Sequence, residues 1–333
     1  MSIRYTLDMK NLYNIAIVIT PDTSLSSALS MYDIFNFINE SFETSTIKLH
    51  IDFIRTEEDV TSVNRLMKIE TVYIAESSKH YDFIFFPLLK SLTPPERPNQ
   101  ETLSWLHRSD KMEKSILCAS CTSTYILAYA DLLQGKSATT HWSLEDDFTV
   151  RFPTTRLNIH KLIVDEGNII TSGGGYAYID LCFYIINKFI SHEVAYHTAK
   201  YLLVDMGRIS QTYFKTLSFQ VKNNDQDIEK LLQWIENNIM TTINVNDMAR
   251  YLSISHKTLI RKFKHATGIL PREYIQNLKV EKAKYLLVNG DLSFTDITGQ
   301  LGYSNPSSFR VLFKKYTNLN PQEYRKKFIN LSV

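Results

Sequence analysis

Two groups of residues in this chain have the types and spacing to do chemistry. The first is basic. Lys257, Arg261 and Lys264 recur at steps of four and three residues. At about 100° per residue they share one stripe of a helix, with Ile260 at its margin. Leu259, Phe263 and Ala266 fall on the opposite arc and face a core. Lysine and arginine on an exposed helix can meet guanine edges or phosphates in a DNA major groove. The second group is built on a thiol. Cys121 follows a short apolar run and opens a helical pattern. A thiol at a helix N-terminus sits where the dipole lowers its pKa and favours anions. Cys118 completes a C-x-x-C spacing, but it reads as a small buried strand residue rather than a redox partner. No second cysteine or histidine pair has zinc-ligand spacing, so neither metal nor cofactor is expected.

Composition bounds what these groups can serve. The 333 residues are 44% hydrophobic and 22% charged, ordinary for a globular chain of two or three domains. Three cysteines argue against a disulfide framework. No apolar run approaches a membrane span and no leader is visible, so a cytoplasmic protein without membrane contact is expected. The net charge of +2 hides an asymmetry. From Lys222 onward there are 17 lysines and arginines against 10 acids, a net of +7, which leaves −5 on the rest. A basic third on an acidic body suggests a nucleic-acid module attached to something else.

That basic third repeats itself. Asp247, Leu252 and Ser255 recur as Asp296, Leu301 and Ser304, and Phe263, Pro271 and Tyr274 recur as Phe313, Pro321 and Tyr324. Each copy reads as helix, short turn, helix. In the first, Asn244 caps one helix, the turn is Ser253-Ile254, and Ser255 caps a second helix that stops at Gly268. In the second, Phe309, Leu312, Phe313 and Tyr316 form the buried side, opposed by Ser307, Arg310 and Lys314 with Val311 beside them. For one such helix a solvated face is the plainer reading. Two copies in the only strongly basic region reverse that preference. A long helix over about 273–289 can hold the units apart, so that two recognition helices read successive major grooves about 34 Å apart.

On these residues the region 228–328 resembles the AraC/XylS family of regulators. The matching positions include Ala249, Leu252, Ser255, Arg261, Phe263, Gly268, Pro271, Tyr274, Ala283, Leu301-Gly302-Tyr303, Phe313-Lys314 and Pro321. The resemblance implies double-stranded DNA as partner. It carries recognition contacts to His256, Lys257, Ile260 and Arg261, and to Asn305, Pro306, Ser307 and Arg310, and the capping Ser255 and the stripe residues Lys264 and Lys314 are expected beside them at the DNA. Val311 stands where the family has an arginine, with Arg310 one place earlier. That shift turns the side chain by about 100°. The second unit is therefore expected to read fewer bases, or mainly to hold phosphates. Asn318 replaces a helix-end glycine, a mild change because asparagine tolerates a left-handed backbone.

In the acidic remainder, strands at 15–20, 49–54, 83–86 and 115–118 alternate with helices at 29–37, 101–108 and 122–133, and a further helix is expected over 193–205. This pattern predicts a mostly parallel sheet with helices on both faces, and ligands at the carboxyl ends of its strands. A second strand–glycine turn–helix runs from Asn168 to Leu181, with backbone N–H groups of Ser172-Gly173-Gly174 expected to face a cavity.

The stretch 15–189 resembles the PfpI-like, class I glutamine-amidotransferase-like domain, in the version fused to AraC-type units. Its strongest parts are the Cys121 turn, Ala138-Thr139-Thr140-His141-Trp142 and Thr171-Ser172-Gly173. In enzymes of that superfamily the cysteine is a nucleophile working with a histidine, and Cys121 and His141 match those two positions. Three departures oppose catalysis: Thr122 follows the cysteine where protease-like members have histidine, Ser123 replaces the turn glycine, and Ser27 occupies the often acidic first-helix position. The expectation is a binding pocket of Ser27, Cys121, Thr122, His141, Ser172, Gly173 and Gly174, with no catalytic residue. For His141, a purely structural role beside Trp142 stays equally open.

The fold expected is an α/β, flavodoxin-like N-terminal domain over 1–205, a linker over 206–225, and an all-α domain over 226–333 with helix-turn-helix units at 244–267 and 293–317. Leu217 and Phe219 would dock the linker on one domain. The function expected is DNA-binding transcription regulation responsive to a small nitrogenous metabolite, an amino acid or quaternary amine by family resemblance. The resemblance also implies a homodimer and leaves room for RNA polymerase as a partner. A cysteine-dependent hydrolase or deglycase tethered to DNA is the alternative.

Overall fold

The computed structural model describes residues 12–41, 47–57, 69–215 and 225–329. Leu217 and Phe219 lie outside them. The chain divides into two compact units at Gln211/Thr212.

The first unit begins with β1 (Leu12–Ile19), whose residues Ile15 to Ile19 are all fully buried. A continuous apolar run suits a central parallel strand covered on both faces. After it come α1 (Leu25–Ser41), β2 (Lys48–Arg55), β3 (Val72–Tyr73), β4 (Phe83–Phe86), α2 (Gln100–Lys111) and β5 (Ile116–Ser120). A 3-10 turn, Cys121–Ser123, leads into α3 (Thr124–Tyr129), then β6 (Ser137–Ala138), α4 (Glu145–Arg151) and β7 (Arg156–Leu157). The unit closes with β8 (Ile163–Asp165), β9 (Ile169–Ser172), α5 (Ala177–Ile185) and α6 (His192–Tyr201).

The main sheet runs β3-β2-β1-β4-β5-β9-β8, parallel throughout except for the antiparallel edge strand β8. One face is packed by α1, α5 and α6 around Phe35, Phe85 and Leu181, and the other by α2 and α3 around Trp105, Leu106 and Tyr125. The chain order reverses between β1 and β4, so the loops after those strands part and leave room at the sheet's carboxyl end.

Three sequence expectations need correcting here. The helix expected over 122–133 is cut to α3, because the chain turns through Asp131 at φ 58°. Residues Thr124 to Ala128 and Leu132-Leu133 are all buried, so no amphipathic boundary marked the stop. The helix expected to reach Asp205 ends at Tyr201, with Leu203 at φ 54°. The stretch 206–211, expected as linker, belongs to the first unit. Leu162 N–H donates to the Ile209 carbonyl at 3.2 Å, Ser210 bridges to Lys161, and the Gln211 side chain is buried.

The second unit is helical: α7 (Gln226–Asn237), α8 (Val245–Tyr251), α9 (His256–Thr267), α10 (Pro271–Asn289), α11 (Phe294–Gln300), α12 (Pro306–Thr317) and α13 (Pro321–Ile329). The caps explain the boundaries. Asn244 with Asp247, and Ser293 with Asp296, form capping boxes at α8 and α11. Ser255 and Asn305 cap α9 and α12 through their side chains. Gly268 at φ 80° and Asn318 at φ 60° end those helices in the left-handed conformation. One core joins α7, α8 and α9 to the start of α10 through Leu259, Phe263 and Tyr274. A second joins the rest of α10 to α11, α12 and α13 through Phe309, Phe313 and Tyr324. The helices α7 and α13 escape the sequence reading, because α7 lies ahead of the repeated motif and α13 only begins inside it, at Pro321 and Tyr324.

Candidate functional site

The first candidate site is the turn after β5. Ser120 ends the strand and Cys121 takes φ 59°, a conformation disfavoured for a side-chain-bearing residue. Tertiary bonds hold it there. Cys121 N–H donates to the Gly173 carbonyl at 3.1 Å, and the Thr140 hydroxyl donates to the Cys121 carbonyl at 2.7 Å. The hydroxyls of Ser120 and Ser172 pair at 2.7 Å across adjacent strands. Of the residues expected from sequence, Cys121 is bonded to Gly173, His141 lies against Gly174, and Ser27 and Thr122 meet the consecutive residues Leu88 and Leu89. Ser27 donates to the Ser24 carbonyl and lies 3.5 Å from the Leu88 carbonyl, while the Thr122 hydroxyl accepts from the Leu89 N–H at 3.3 Å.

The chemistry differs from the expectation in two ways. The thiol was expected to be acidified by the helix dipole. Burial instead pushes the Cys121 thiol up, against the lowering effect of the Gly175 and Thr122 N–H groups and the Thr122 hydroxyl. Only 2% of Cys121 is exposed, so loss of water outweighs the local dipoles. The glycine turn was expected to offer free N–H groups to a cavity. Gly173 N–H is bonded to the Leu162 carbonyl at 2.8 Å, and Gly174 N–H to Gln211 Oε1 at 3.2 Å. The His141 ring lies on Gly174 so closely that a Cβ there would come within 1.8 Å of it.

His141 is also poorly set as a base. Its Nδ1 accepts the Ser143 N–H at 3.1 Å and lies 2.7 Å from the Ser143 hydroxyl. In the neutral ring this leaves the proton on Nε2, which then donates rather than accepts. Burial holds the His141 pKa below its ordinary value, which keeps that neutral form. Gln211 was missed by sequence reasoning. Its Nε2 donates to the Thr140 and Ile159 carbonyls, each at 2.8 Å. Nothing local in the sequence marks a residue that packs against a turn 37 positions earlier. All three cysteines are free thiols and buried, and Cys118, at the centre of the sheet, is pushed well up by burial. Two cavities of this unit are lined by other residues. One, about 610 Å³, opens at the β1 and β4 strand ends beside Thr20, Phe86 and Leu89. Another, about 580 Å³, opens beside β8 and α5. Among the described residues no three His, Cys, Asp or Glu side chains form a metal-holding group.

The second candidate site is the exposed face of α9. Leu259, Phe263 and Ala266 are fully buried, which turns Lys257, Arg261 and Lys264 outward along a shallow groove with Ile260 and His265. Among the described residues no ion pair engages those three cations, whereas Lys262, beside them in sequence, is held by Asp225 at 3.3 Å and by Asp227. On α12, Ser307, Arg310 and Lys314 are likewise exposed, but the Arg310 guanidinium lies over the Phe294 ring at 5.5 Å, and Val311 is 73% exposed.

Lys279, unmarked by the sequence reading, ties the two helix-turn-helix units together. It is 4% exposed in α10, and its Nζ donates to the Thr241 carbonyl ahead of α8 at 3.0 Å and to the Leu301 carbonyl after α11 at 2.6 Å. The Tyr303 ring lies 5.2 Å from the same nitrogen. The buried ammonium thus spends its donors on both units.

This architecture is an α/β domain joined in one chain to a helical unit of two helix-turn-helix motifs. The chain belongs to the DJ-1/PfpI family, whose model matches residues 13–188. A helix-turn-helix domain model matches residues 248–327, and this part resembles AraC/XylS-family regulators. The chain is 23% identical over 210 residues to the HTH-type transcriptional regulator GbdR of Pseudomonas aeruginosa, covering 63% of this chain and 57% of that one. It is 26% identical over 202 residues to the HTH-type transcriptional regulator ArgR of the same organism, covering 60% and 61%. It thus answers to somewhat over half the length of those relatives. A crystal structure from Vibrio parahaemolyticus matches 58% of this chain and 100% of its own at 18% identity and TM-score 0.50, a likeness of fold. No helix among the described residues is long and apolar enough to cross a membrane.

Proposed function

We propose that this chain is a sequence-specific DNA-binding transcription regulator whose N-terminal unit senses a small molecule without turning it over. The observation that carries this reading is the outward basic stripe of Lys257, Arg261 and Lys264 on α9. It lies on the second helix of a capped helix-turn-helix that is repeated at α11 and α12. In this reading α9 enters the major groove, with Ser255, His256 and Ile260 beside the stripe, and supplies most base contacts. Asn305, Pro306, Ser307, Arg310 and Lys314 place α12 on a second groove, chiefly through phosphates. The effector is a small nitrogenous metabolite, of amino-acid or quaternary-amine type. It acts by binding one arrangement of the regulator better than another. A cytoplasmic homodimer that also meets RNA polymerase completes the reading. The test is selection of genomic fragments by the full-length protein. Salt-dependent, sequence-selective binding that Arg261→Ala weakens is the expected result. No selected fragment, or an inert Arg261→Ala, overturns it.

The left-handed turn at Cys121 favours a second reading, a cysteine-dependent hydrolase or deglycase. Burial of the thiol and the His141 tautomer oppose it. Because the folded thiol titrates above its ordinary range, thiolate is scarce at pH 7–8. Alkylation of Cys121 by iodoacetamide in the native protein should be slower than that of a free cysteine, with a rate still rising above pH 9. Rapid labelling at pH 7, read by peptide mass spectrometry, would restore the enzymatic reading.

A further inference from the structure

We propose that the cavity beside β8 and α5 is a binding site for a small aliphatic carboxylate, separate from the Cys121 turn. Its volume of about 580 Å³ lies within the usual range for small-molecule sites. Ile163, Phe183, Val204, Met206 and Ile209 make apolar walls. Ile209 is 83% exposed, so an alkyl body in the cavity would cover apolar surface that is now in water.

The polar groups select the head. Arg208 donates through Nε to Asp180 at 3.1 Å and through Nη2 to both Asp180 and the Tyr176 carbonyl. Those bonds pin the guanidinium at the cavity wall and leave its Nη1 edge out of all three. Among the lining residues Asp180 is paired with Arg208, and Lys161 adds a second cation, while Asp205, between the lining residues Val204 and Met206, also acts on Asp180. A carboxylate can bond Arg208 Nη1 and Lys161 together, a charge-assisted arrangement stronger than a neutral one. The cavity at the β1 and β4 ends is the opposite case, its mouth carrying Asp22, Glu57 and Glu96 against Arg97.

One wall of the carboxylate cavity, residues 204–209, runs directly into Ser210 and Gln211, which are bonded to the His160, Thr140 and Ile159 carbonyls and end the first unit. A ligand that bridges α5 to this segment steadies the last residues before the helix-turn-helix unit. That regulatory consequence rests on the effector-responsive reading above; the binding itself does not.

Calorimetric titration of the full-length protein with hexanoate and with hexanamide tests the site. Hexanoate should bind, with hexanamide and the Lys161→Met variant each weaker by about tenfold or more. Ile209→Ser, at an exposed position that folding does not need, should also weaken it, while Cys121→Ser should leave it unchanged. Saturating hexanoate should slow hydrogen exchange over 204–210. Equal affinity for acid and amide, wild-type binding by Lys161→Met, loss of binding in Cys121→Ser, or unchanged exchange over 204–210 each overturns the proposal. No step uses DNA, so failure here leaves the DNA-binding reading standing, and the reverse also holds.

Discussion

The first helix-turn-helix unit turns between its helices through Ser253 at φ 55°, and the second through Gly302 at φ 75°. The two positions correspond in the repeat, yet only one needs glycine. A Cβ on Gly302 would come within 2.9 Å of the Thr242 hydroxyl and 3.1 Å of its backbone nitrogen. Ser253 carries a side chain in the same backbone region. The outward faces differ as well. On α9 three cations point outward, while on α12 the corresponding arginine has slipped one residue and lies over Phe294. Duplication kept the core and the caps, and the two surfaces diverged. The difference teaches that packing, shared by both copies, fixes the fold, whereas a single position on an exposed helix decides what the copy can read.

The largest effect should be the one the units share. Phe263→Ala and Phe313→Ala each empty a fully buried site and should each cost about 3–5 kcal/mol in denaturant unfolding of the helical unit. A gap of more than about 2 kcal/mol between them would break the idea of equivalent cores. Next comes the difference in reading. Arg261→Ala should cost about 1–3 kcal/mol of DNA affinity and relax specificity at one base position, whereas Arg310→Ala should weaken all sequences alike and lower the salt slope by about one. The reverse pattern would invert the comparison. The turns give the third test. Gly302→Ala should destabilise by about 2 kcal/mol, from left-handed strain plus the Thr242 overlap, while Ser253→Gly should stay within about 1 kcal/mol of wild type. Equal responses would show that the close approach to Thr242 is not restrictive. Smallest is the helix end, where Asn318→Gly should raise stability by at most about 1 kcal/mol and so bring the second unit level with Gly268 in the first.

Much of the helical unit was legible because its signals are local. Asn244, Ser255, Gly268 and Asn318 mark helix ends by their own backbone chemistry, and the spacing of Leu259, Phe263 and Ala266 gives the buried side without reference to any partner. Lys279 was not legible. A lysine on a long helix reads as solvated, and only the arrival of the Thr241 and Leu301 carbonyls from two different motifs makes it a buried tie. In the α/β unit the strand and turn positions around Cys121 were readable from the apolar run and the break after it. The state of its thiol was not, because desolvation depends on everything packed around the sulfur.

The sequence by itself therefore determined the repeated motif, the basic stripe of α9, the alternation of strand and helix and the sharp turn at Cys121, since each follows from periodicity or from one residue's conformational preference. Only the tertiary structure decided that Gly173 and Gly174 spend their N–H groups on Leu162 and Gln211, that burial raises rather than lowers the Cys121 pKa, and that residues 206–211 complete the first unit. Those outcomes are set by hydrogen bonds and burial between residues far apart in the chain, and no local pattern encodes them.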